Sequence, residues 1–289
     1  MKIKKITILL ICFALFNQCD EKTKEPVSNL DIVRYNAQAA MYFHTIFSEA
    51  EFAWAYVHNK DYYPFTNERI ERSATVYKEL NYDGSTVTVA YNAWTTDNGL
   101  IIVGDLRVES VTLHSYRNNE KTVKITLDIF SINRQHVRGH AWIQPNNKED
   151  NPNDFYLFTL SDGATIHEDP IKNEKMPTLI SASIERGSYE RVQGGETLLD
   201  QVDDVWIYSG GIMKGIILND SRLSYTNTII NTSIDANTNE NIDTKLRFSA
   251  NCITAQWGVS KIVISERPDI IFIYKCSEIE YESEPVNVY

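Results

Sequence analysis

The stretch Thr-Val-Thr-Val-Ala-Tyr at residues 86–91 places valine or tyrosine at every second position, and turn-forming dipeptides flank it, Asp83-Gly84 before and Asn98-Gly99 after. A period of two residues is typical of a β-strand that buries one face, and Asp-Gly and Asn-Gly favour tight hairpin turns. The same alternation recurs at residues 122–127 and 261–264. We therefore predict an antiparallel β region over residues 72–289.

Four glycines recur in this region at spacings of 35, 76 and 43 residues, which suggests a weak internal repeat. Each follows an apolar residue within two positions and belongs to an alternating run: Gly104, Gly139, Gly215 and Gly258. A glycine within a strand commonly marks a bulge or bend at which the sheet curls. The expected fold is therefore mainly β, as a curved antiparallel sheet, an open barrel or a sandwich, with one N-terminal helix packed on it.

The N-terminal helix is predicted from a change of period. Ser28 with Asp31 three residues later resembles a capping box. Apolar residues then recur at spacings of three and four: Val33, Ala37, Ala40, Phe43, Phe47, Ala50, Trp54 and Val57. This stripe predicts an amphipathic helix over residues 28–59 that faces the core. We expect residues 28–289 to form a single domain.

The first eighteen residues have the pattern of a secretory signal. Lys2, Lys4 and Lys5 form a basic start, and residues 6–16 are an unbroken apolar run. Because a transmembrane helix needs about 20 residues, a run of this length indicates a cleaved signal rather than a permanent span. The sequence therefore predicts export, with residues 1–18 as the signal peptide.

Cys19 follows the apolar run at the position of a lipoprotein cysteine. Gln18 and Phe16 depart from the usual lipobox, which has a small residue before the cysteine and an aliphatic one three positions before it. Residues 19–27 are mostly charged and polar, as expected of a flexible tether between a lipid and a domain. We expect lipid attachment at Cys19; the alternative is an uncleaved signal with an inert cysteine.

The charge of the chain restricts its partners. The formal net charge is −11, and removal of a signal with three lysines and no acids lowers it to −14. Such a surface argues against a nucleic-acid partner and against electrostatic docking on anionic lipid. Attachment to a membrane is therefore expected through the lipid on Cys19.

Cys252 and Cys276 remain as a pair once Cys19 carries lipid and Cys12 is removed with the signal. Export leads to an oxidising compartment, where a disulfide between them is permitted. The alternative is two buried free thiols. No cysteine or histidine cluster has the spacing of a zinc site, so no metal or cofactor is expected.

Two polar clusters contain residues that can bind metals. His136 and His140 fall on one face of a predicted strand, but Arg138 lies between them on that face and would repel a cation. Asp200, Asp203 and Asp204 could offer oxygens to Ca²⁺, but lack the glycine-bearing spacing of a calcium loop. Surface histidines and a solvated turn are the favoured interpretations.

Catalysis has no distinctive motif in this sequence. Two carboxylates for glycoside hydrolysis could come from anywhere in an acidic chain, so acids alone do not discriminate. Aromatic residues near turns could stack on sugars or peptides, although most such residues in β proteins belong to the core. The residues considered are Tyr62, Tyr63, Phe65, Trp94, Trp142, Trp206 and Trp257. No catalytic residue is assigned.

Several short segments resemble a group of uncharacterised Bacteroidota cell-envelope lipoproteins. The matching segments are residues 48–51 (Ser-Glu-Ala-Glu), 125–133 with 137–139, 203–206 with 209–211, 251–252, 258–264 and Cys276. The middle strands depart from the Thr/Gly pattern of that group. The resemblance implies an envelope location and a helix followed by a long β region, and it implies no activity.

Together these patterns predict an exported protein, lipid-anchored to the cell envelope at the outer membrane. We expect a non-catalytic module that binds a glycan, peptide or protein, or that supports assembly through exposed edge strands. The alternative is a carbohydrate-active hydrolase that uses paired carboxylates.

Overall fold

The computed structural model describes residues 26–59, 68–114, 119–143, 155–160, 167–169, 174–176, 178–185, 188–193, 202–209, 212–219, 221–234 and 241–286. Cys19 and the predicted signal peptide lie outside the described residues. Among the described residues, no helix combines the length and the apolar character that a membrane span requires.

Helix α1 runs over Asn29–Asn59, as the sequence predicts. Ser28 caps its first turn, because its Oγ accepts a hydrogen bond from the backbone N–H of Asp31 at 3.1 Å. The same hydroxyl donates to the Asp31 carboxylate at 2.6 Å. The capping pair thus fixes where the helix begins.

The burial of α1 is greater than an amphipathic stripe implies. The predicted positions from Val33 to Ala50 are buried, and Trp54 is partly buried. Residues on other sides of the helix are buried as well: Ile32, Asn36, Ala39, Met41, Ile46 and Ala53. The middle of α1 is therefore enclosed by the β region rather than laid on one face of it.

The β region begins at Glu68, slightly before the predicted residue 72, and its strands are mostly short. They are β1 (Glu68–Ser73), β2 (Val76–Tyr82), β3 (Thr86–Thr95), β4 (Ile101–His114), β5 (Asn119–Ile132), β6 (Gln135–Ile143), β7 (Phe155–Leu160), β8 (His167–Asp169), β9 (Glu174–Met176), β10 (Thr178–Glu185), β11 (Ser188–Gln193), β12 (Val205–Ser209), β13 (Ile212–Asn219), β14 (Ser221–Ile230), β15 (Thr232–Ile234), β16 (Asn241–Asp243), β17 (Leu246–Ser249), β18 (Trp257–Val263), β19 (Ile270–Lys275), β20 (Glu278–Tyr281) and β21 (Glu284–Val286).

All described strand pairs are antiparallel. The pairing runs from β1 through β7, continues through β10, β13, β14 and β18, and ends at β21. In the part of the chain that the structure describes, β1 and β21 do not pair with each other. The prediction of a mainly β, antiparallel fold with one N-terminal helix is confirmed. The sheets are arranged like a sandwich and do not form a closed barrel.

A long hairpin connects the main sheet with the strands beside the middle of α1. Its first arm is β10 followed by β11, and its second arm is β12 followed by β13. Glu185 pairs with Ile212 and Ser188 with Ser209, so the same register passes from one part of the hairpin to the other. In the second part of the hairpin, β12 pairs with β11 on one side and with β17 on the other.

Two of the predicted glycines allow close contacts inside the sheet. Gly104 lies at a bulge between β4 and β5 with φ of +101°, and a Cβ there would lie 1.7 Å from the carbonyl oxygen of Ile129. Gly215 pairs with Tyr225, and a Cβ would lie 2.1 Å from the Cζ of that tyrosine. Side chains at either position would therefore collide with the neighbouring strand.

Cys252 and Cys276 are joined by a disulfide in the structure. Their backbones also meet through Thr254, whose N–H donates to the carbonyl oxygen of Cys276 at 2.8 Å. The bridge fixes the turn after β17 to the end of β19. This turn begins at Ala250, which lies in the cleft described next.

Candidate functional site: a polar cleft beside helix α1

A small, solvent-open cleft with a volume of about 40 Å³ lies between α1 and several strands and turns. Four of its residues come from α1 and the others from β1, β3, β12 and neighbouring turns. They are His44, Thr45, Ser48, Glu49, Arg72, Trp94, Thr96, Asp97, Asn98, Asp204, Trp206 and Ala250. Most of these side chains can donate or accept a hydrogen bond, which distinguishes the cleft from the apolar core around it.

The helical period brings the α1 residues to one side of the cleft. Thr45 and Glu49 are four residues apart, so they lie one above the other on the helix surface, with Ser48 beside them. Both Thr45 and Glu49 are buried. The enclosure of α1 thus places polar groups where a solvent-facing helix would have exposed them.

Glu49 belongs to a buried ion pair. Its Oε2 accepts a hydrogen bond from Lys78 Nζ of β2 at 3.0 Å and another from the Tyr91 hydroxyl of β3 at 2.9 Å. Lys78 is only 2% exposed and Glu49 only 3% exposed. Burial lowers the pKa of Lys78, while the charge of Glu49 opposes that shift. Each residue of the pair therefore compensates the buried charge of the other.

Aromatic rings surround the ammonium group of Lys78. Nζ lies 3.8 Å from the ring centroid of Phe52 and 4.6 Å from that of Trp94. These cation–π contacts add to the attraction of Glu49 in a site that water does not reach. Lys78 is held in one position behind the cleft as a result.

The second carboxylate oxygen of Glu49 has no protein partner. Among the described residues, no group donates a hydrogen bond to Glu49 Oε1, and none bonds the hydroxyl of Thr45. Both residues line the cleft. The floor of the cleft therefore offers a carboxylate acceptor and a neighbouring hydroxyl to a bound molecule.

The rim of the cleft is a rigid turn with a salt bridge. Thr96 Oγ1 accepts from the backbone N–H of Leu100 at 2.9 Å and donates to Asn98 Oδ1. Arg72 Nη2 binds Asp97 Oδ1 at 2.7 Å, and its guanidinium carbon lies 4.5 Å from the ring centroid of Trp94. Arg72 thus covers one part of Trp94 at the edge of the cleft.

Two pairs of stacked rings lie on the other side of the cleft, and of these rings His44 and Trp206 line it. His44 stacks on Phe248 with a centroid distance of 4.6 Å, and Tyr189 stacks on Trp206 at the same distance. His44 Nδ1 is in hydrogen-bonding contact with the Tyr189 hydroxyl, which links the two stacks. Burial lowers the pKa of His44 to about 3 and raises that of Tyr189, so both groups are neutral near pH 7.

The cleft contains two of the tryptophans considered from the sequence. Trp94 and Trp206 both line it, but each is only 6% exposed, so they are not surface platforms. Trp257 is 38% exposed and lies outside the cleft lining, with its Nε1 donating to the Asp243 carbonyl. Tyr62, Tyr63 and Phe65 lie outside the described residues, as does the side chain of Trp142.

The two candidate metal clusters differ in their exposure. His136 and Arg138 are exposed and His140 is partly exposed, on one face of β6, as the strand period predicts. Asp203 is exposed, whereas Asp204 is buried in the cleft, so the interpretation of a solvated turn was wrong for Asp204; Asp200 lies outside the described residues. No group of three metal-binding side chains occurs in the described ranges.

The sequence did not identify Thr45, Glu49, Arg72 or Lys78 as site residues. One signal was available: Thr45 and Glu49 are polar residues that interrupt the apolar middle of the helix. An acid within a buried helix needs a cationic partner, but the partner strand and residue could not be read from the sequence.

The chain matches no known protein family, no curated protein and no solved structure. The resemblance to Bacteroidota envelope lipoproteins therefore stays a prediction.

The buried neutral His44 predicts a specific loss of stability in acid. In the unfolded chain the imidazole binds a proton below about pH 6.5, whereas in the folded protein it does so only near 3. The contribution of neutral His44 to the free energy of unfolding is thus fully present above pH 6.5 and is lost as the pH falls toward 3. Relative to His44→Phe, the wild type should lose about 1.4 kcal/mol of unfolding free energy per pH unit in this window.

Chemical denaturation of both proteins at several pH values from 7 to 4 measures this difference. His44→Phe retains a ring that can stack on Phe248, which makes it the matched reference. Parallel stability profiles for the two proteins would contradict the assignment of a neutral buried imidazole.

Proposed function

We propose that this protein is a non-catalytic, lipid-anchored module of the cell envelope that binds a small polar ligand in the cleft beside α1. The observation that carries the proposal is Glu49 Oε1, a carboxylate oxygen in the cleft lining without a hydrogen bond from the described residues. A carboxylate oxygen is a strong hydrogen-bond acceptor, and a ligand in the cleft could donate a hydrogen bond to it.

The shape of the cleft supports binding. Ligand sites are typically concave, mostly preformed, and equipped with a few convergent polar groups. Here the helix, the Thr96–Asn98 turn and the salt bridge of the rim are each fixed by their own contacts. A ligand would therefore meet an ordered surface and would lose little free energy to ordering it.

The positions of the carboxylates favour binding over hydrolysis. A glycosidase needs one carboxyl group to deliver a proton and a second to act as base or nucleophile. In the cleft, one oxygen of Glu49 is held by Lys78 and Tyr91, and one oxygen of Asp97 is held by Arg72. These bonds serve to fix the two acids in place.

The edge strands β1 and β21 do not favour assembly by strand addition. Strand β1 exposes Arg69 and Glu71, which form an ion pair at 2.7 Å. Strand β21 carries the exposed residues Glu284 and Pro285. Charges and proline on edge strands oppose pairing with another chain.

A cleft ligand should be detectable in a broad library of small polar compounds by protein-observed NMR. We expect hits that shift the indole signals of Trp94 and Trp206 and that disappear in Ala250→Trp, because a large side chain at this half-buried rim position fills the cleft. Ser265→Trp, in the exposed turn between β18 and β19, is the matched control and should retain the hits. A library without hits, or hits that persist in Ala250→Trp, would contradict the proposal.

The anchor has a separate test. Cys19→Ala should move the protein from the membrane to the soluble fraction and abolish metabolic labelling with palmitate, because the acidic mature chain has no electrostatic attraction to anionic lipid. Unchanged fractionation and labelling would show that Cys19 is not the anchor.

A further inference from the structure

We infer that the outer face of strands β14, β18 and β19 rests on the surface of a lipid bilayer. This inference rests on the lipid anchor at Cys19 in the proposed function, and it names the side of the domain that meets the membrane. The contact is apolar, so it needs no attraction between the acidic chain and anionic lipid.

The outward side chains of these strands form a continuous apolar surface. Residues alternate along β18, with Ser260 and Ile262 buried and the positions on either side of them facing outward. Val259 pairs with Ile230 of β14 and with Ile273 of β19, so three half-buried apolar side chains form a row across the face. More exposed apolar residues flank this row: Trp257, Val263 and Ile271.

The described residues leave this face open to solvent. Ile271 is 55% exposed, Val263 42% and Trp257 38%. The indole N–H of Trp257 donates to the carbonyl oxygen of Asp243 at 3.1 Å, so the exposed part of the ring offers apolar surface. Single exposed apolar residues are common, but a contiguous apolar patch marks a contact with a protein or a membrane. Tryptophan is enriched where a protein meets the membrane–water interface.

The outward lysines of this face are paired with acids. Lys261 Nζ lies 2.6 Å from Asp269 Oδ2, and Lys275 binds the carboxylate of Glu280. The face is thus locally balanced in charge, although the whole chain has a formal net charge of −11. Lipid headgroups would therefore not repel it, and the lysine stems can lie along apolar surface while their ends stay in water.

The point at which the chain enters the domain favours lipid over a protein partner. Arg267, in the turn between β18 and β19, donates from Nη1 to the carbonyl oxygen of Val27 at 2.8 Å. Val27 is therefore held beside the ends of these strands, where Val263 and Ile271 lie. Val27 follows Cys19 by eight residues. Even a fully extended chain of that length spans at most about 28 Å, so a lipid on Cys19 keeps the face close to the bilayer.

The lipid and the face act together. A short tether raises the local concentration of the face at the bilayer surface, so a weak apolar contact is sufficient to orient the domain. Without the lipid, the same contact would not hold the protein on a membrane. The face is therefore consistent with the expected release of Cys19→Ala into the soluble fraction.

Quenching of a fluorophore by spin-labelled lipid measures the contact. The lipidated protein is reconstituted in phosphatidylcholine vesicles that carry nitroxides on their acyl chains. The fluorophore NBD on Ile271→Cys reports the proposed face, and NBD on Ile129→Cys of β5, also an exposed isoleucine, is the matched control. Apolar faces at the interface enter the lipid by about 5–10 Å, so quenching at residue 271 should be at least about threefold stronger than at residue 129. Equal quenching at both positions, or none at residue 271, would overturn the inference.

Charged variants test whether the apolar side chains make the contact. With NBD on Thr228→Cys of β14, Val263→Glu combined with Ile271→Glu should reduce quenching at least about threefold, because burial of a carboxylate in lipid is unfavourable. Val103→Glu combined with Ile129→Glu alters two exposed apolar residues of β4 and β5, which do not pair with β18 or β19, and should leave quenching unchanged. If the first combination fails to fold, the comparison of residues 271 and 129 decides.

The outcomes separate this inference from the proposed anchor. If the protein floats with the vesicles while the label at residue 271 is not quenched, the inference is wrong and the anchor stands. A blue shift of that label without quenching would show that a protein surface, such as a second copy of the chain, covers the face, and this also contradicts the inference. If Cys19 carries no lipid, both are wrong.

Discussion

The buried ion pair between Glu49 and Lys78 is the constraint on which the arrangement of this protein depends. Two charges that are almost fully enclosed must satisfy each other, because neither can reach bulk water. The bond joins helix α1 to strand β2, and the hydroxyl of Tyr91 extends it to strand β3. The helix therefore has a fixed rotation and a fixed height relative to the first strands of the β region.

The cleft follows from that fixed position. With Oε2 of Glu49 held by its partners, Oε1 remains for the cleft, and Thr45 one helical turn earlier accompanies it. On the other side, His44 meets Tyr189 of β11 and Phe248 of β17. The helix thus holds together strands that are far apart in the sequence, and the polar groups it presents define what the cleft can bind.

Local patterns were sufficient to predict the individual elements. In strand β3, which contains residues 86–91, Val87, Val89 and Tyr91 are buried as the alternation predicts, and turns occur at Asp83-Gly84 and Asn98-Gly99. The capping residues predicted the start of α1, because a cap acts within one turn of the chain.

The enclosure of the helix and the cleft could not be predicted in the same way. A stripe of apolar residues indicates one buried face, whereas the burial of Asn36, Thr45 and Glu49 depends on strands that arrive from distant parts of the chain. The cleft combines residues from His44 to Ala250, and its ion pairs connect positions that no local period relates. Contacts between residues far apart in the sequence form such a site. A single sequence therefore shows which polar residues are present, but not which of them come into contact.

The coupling between Glu49 and Lys78 is the most direct measure of this account. In a double-mutant cycle with Lys78→Met and Glu49→Gln, unfolding in denaturant should show a loss of about 3–5 kcal/mol for Lys78→Met, which leaves a buried carboxylate without its cation. The double variant should recover part of that loss, with a coupling free energy of about 2 kcal/mol or more. Additive effects within about 0.5 kcal/mol would contradict the central role of the ion pair.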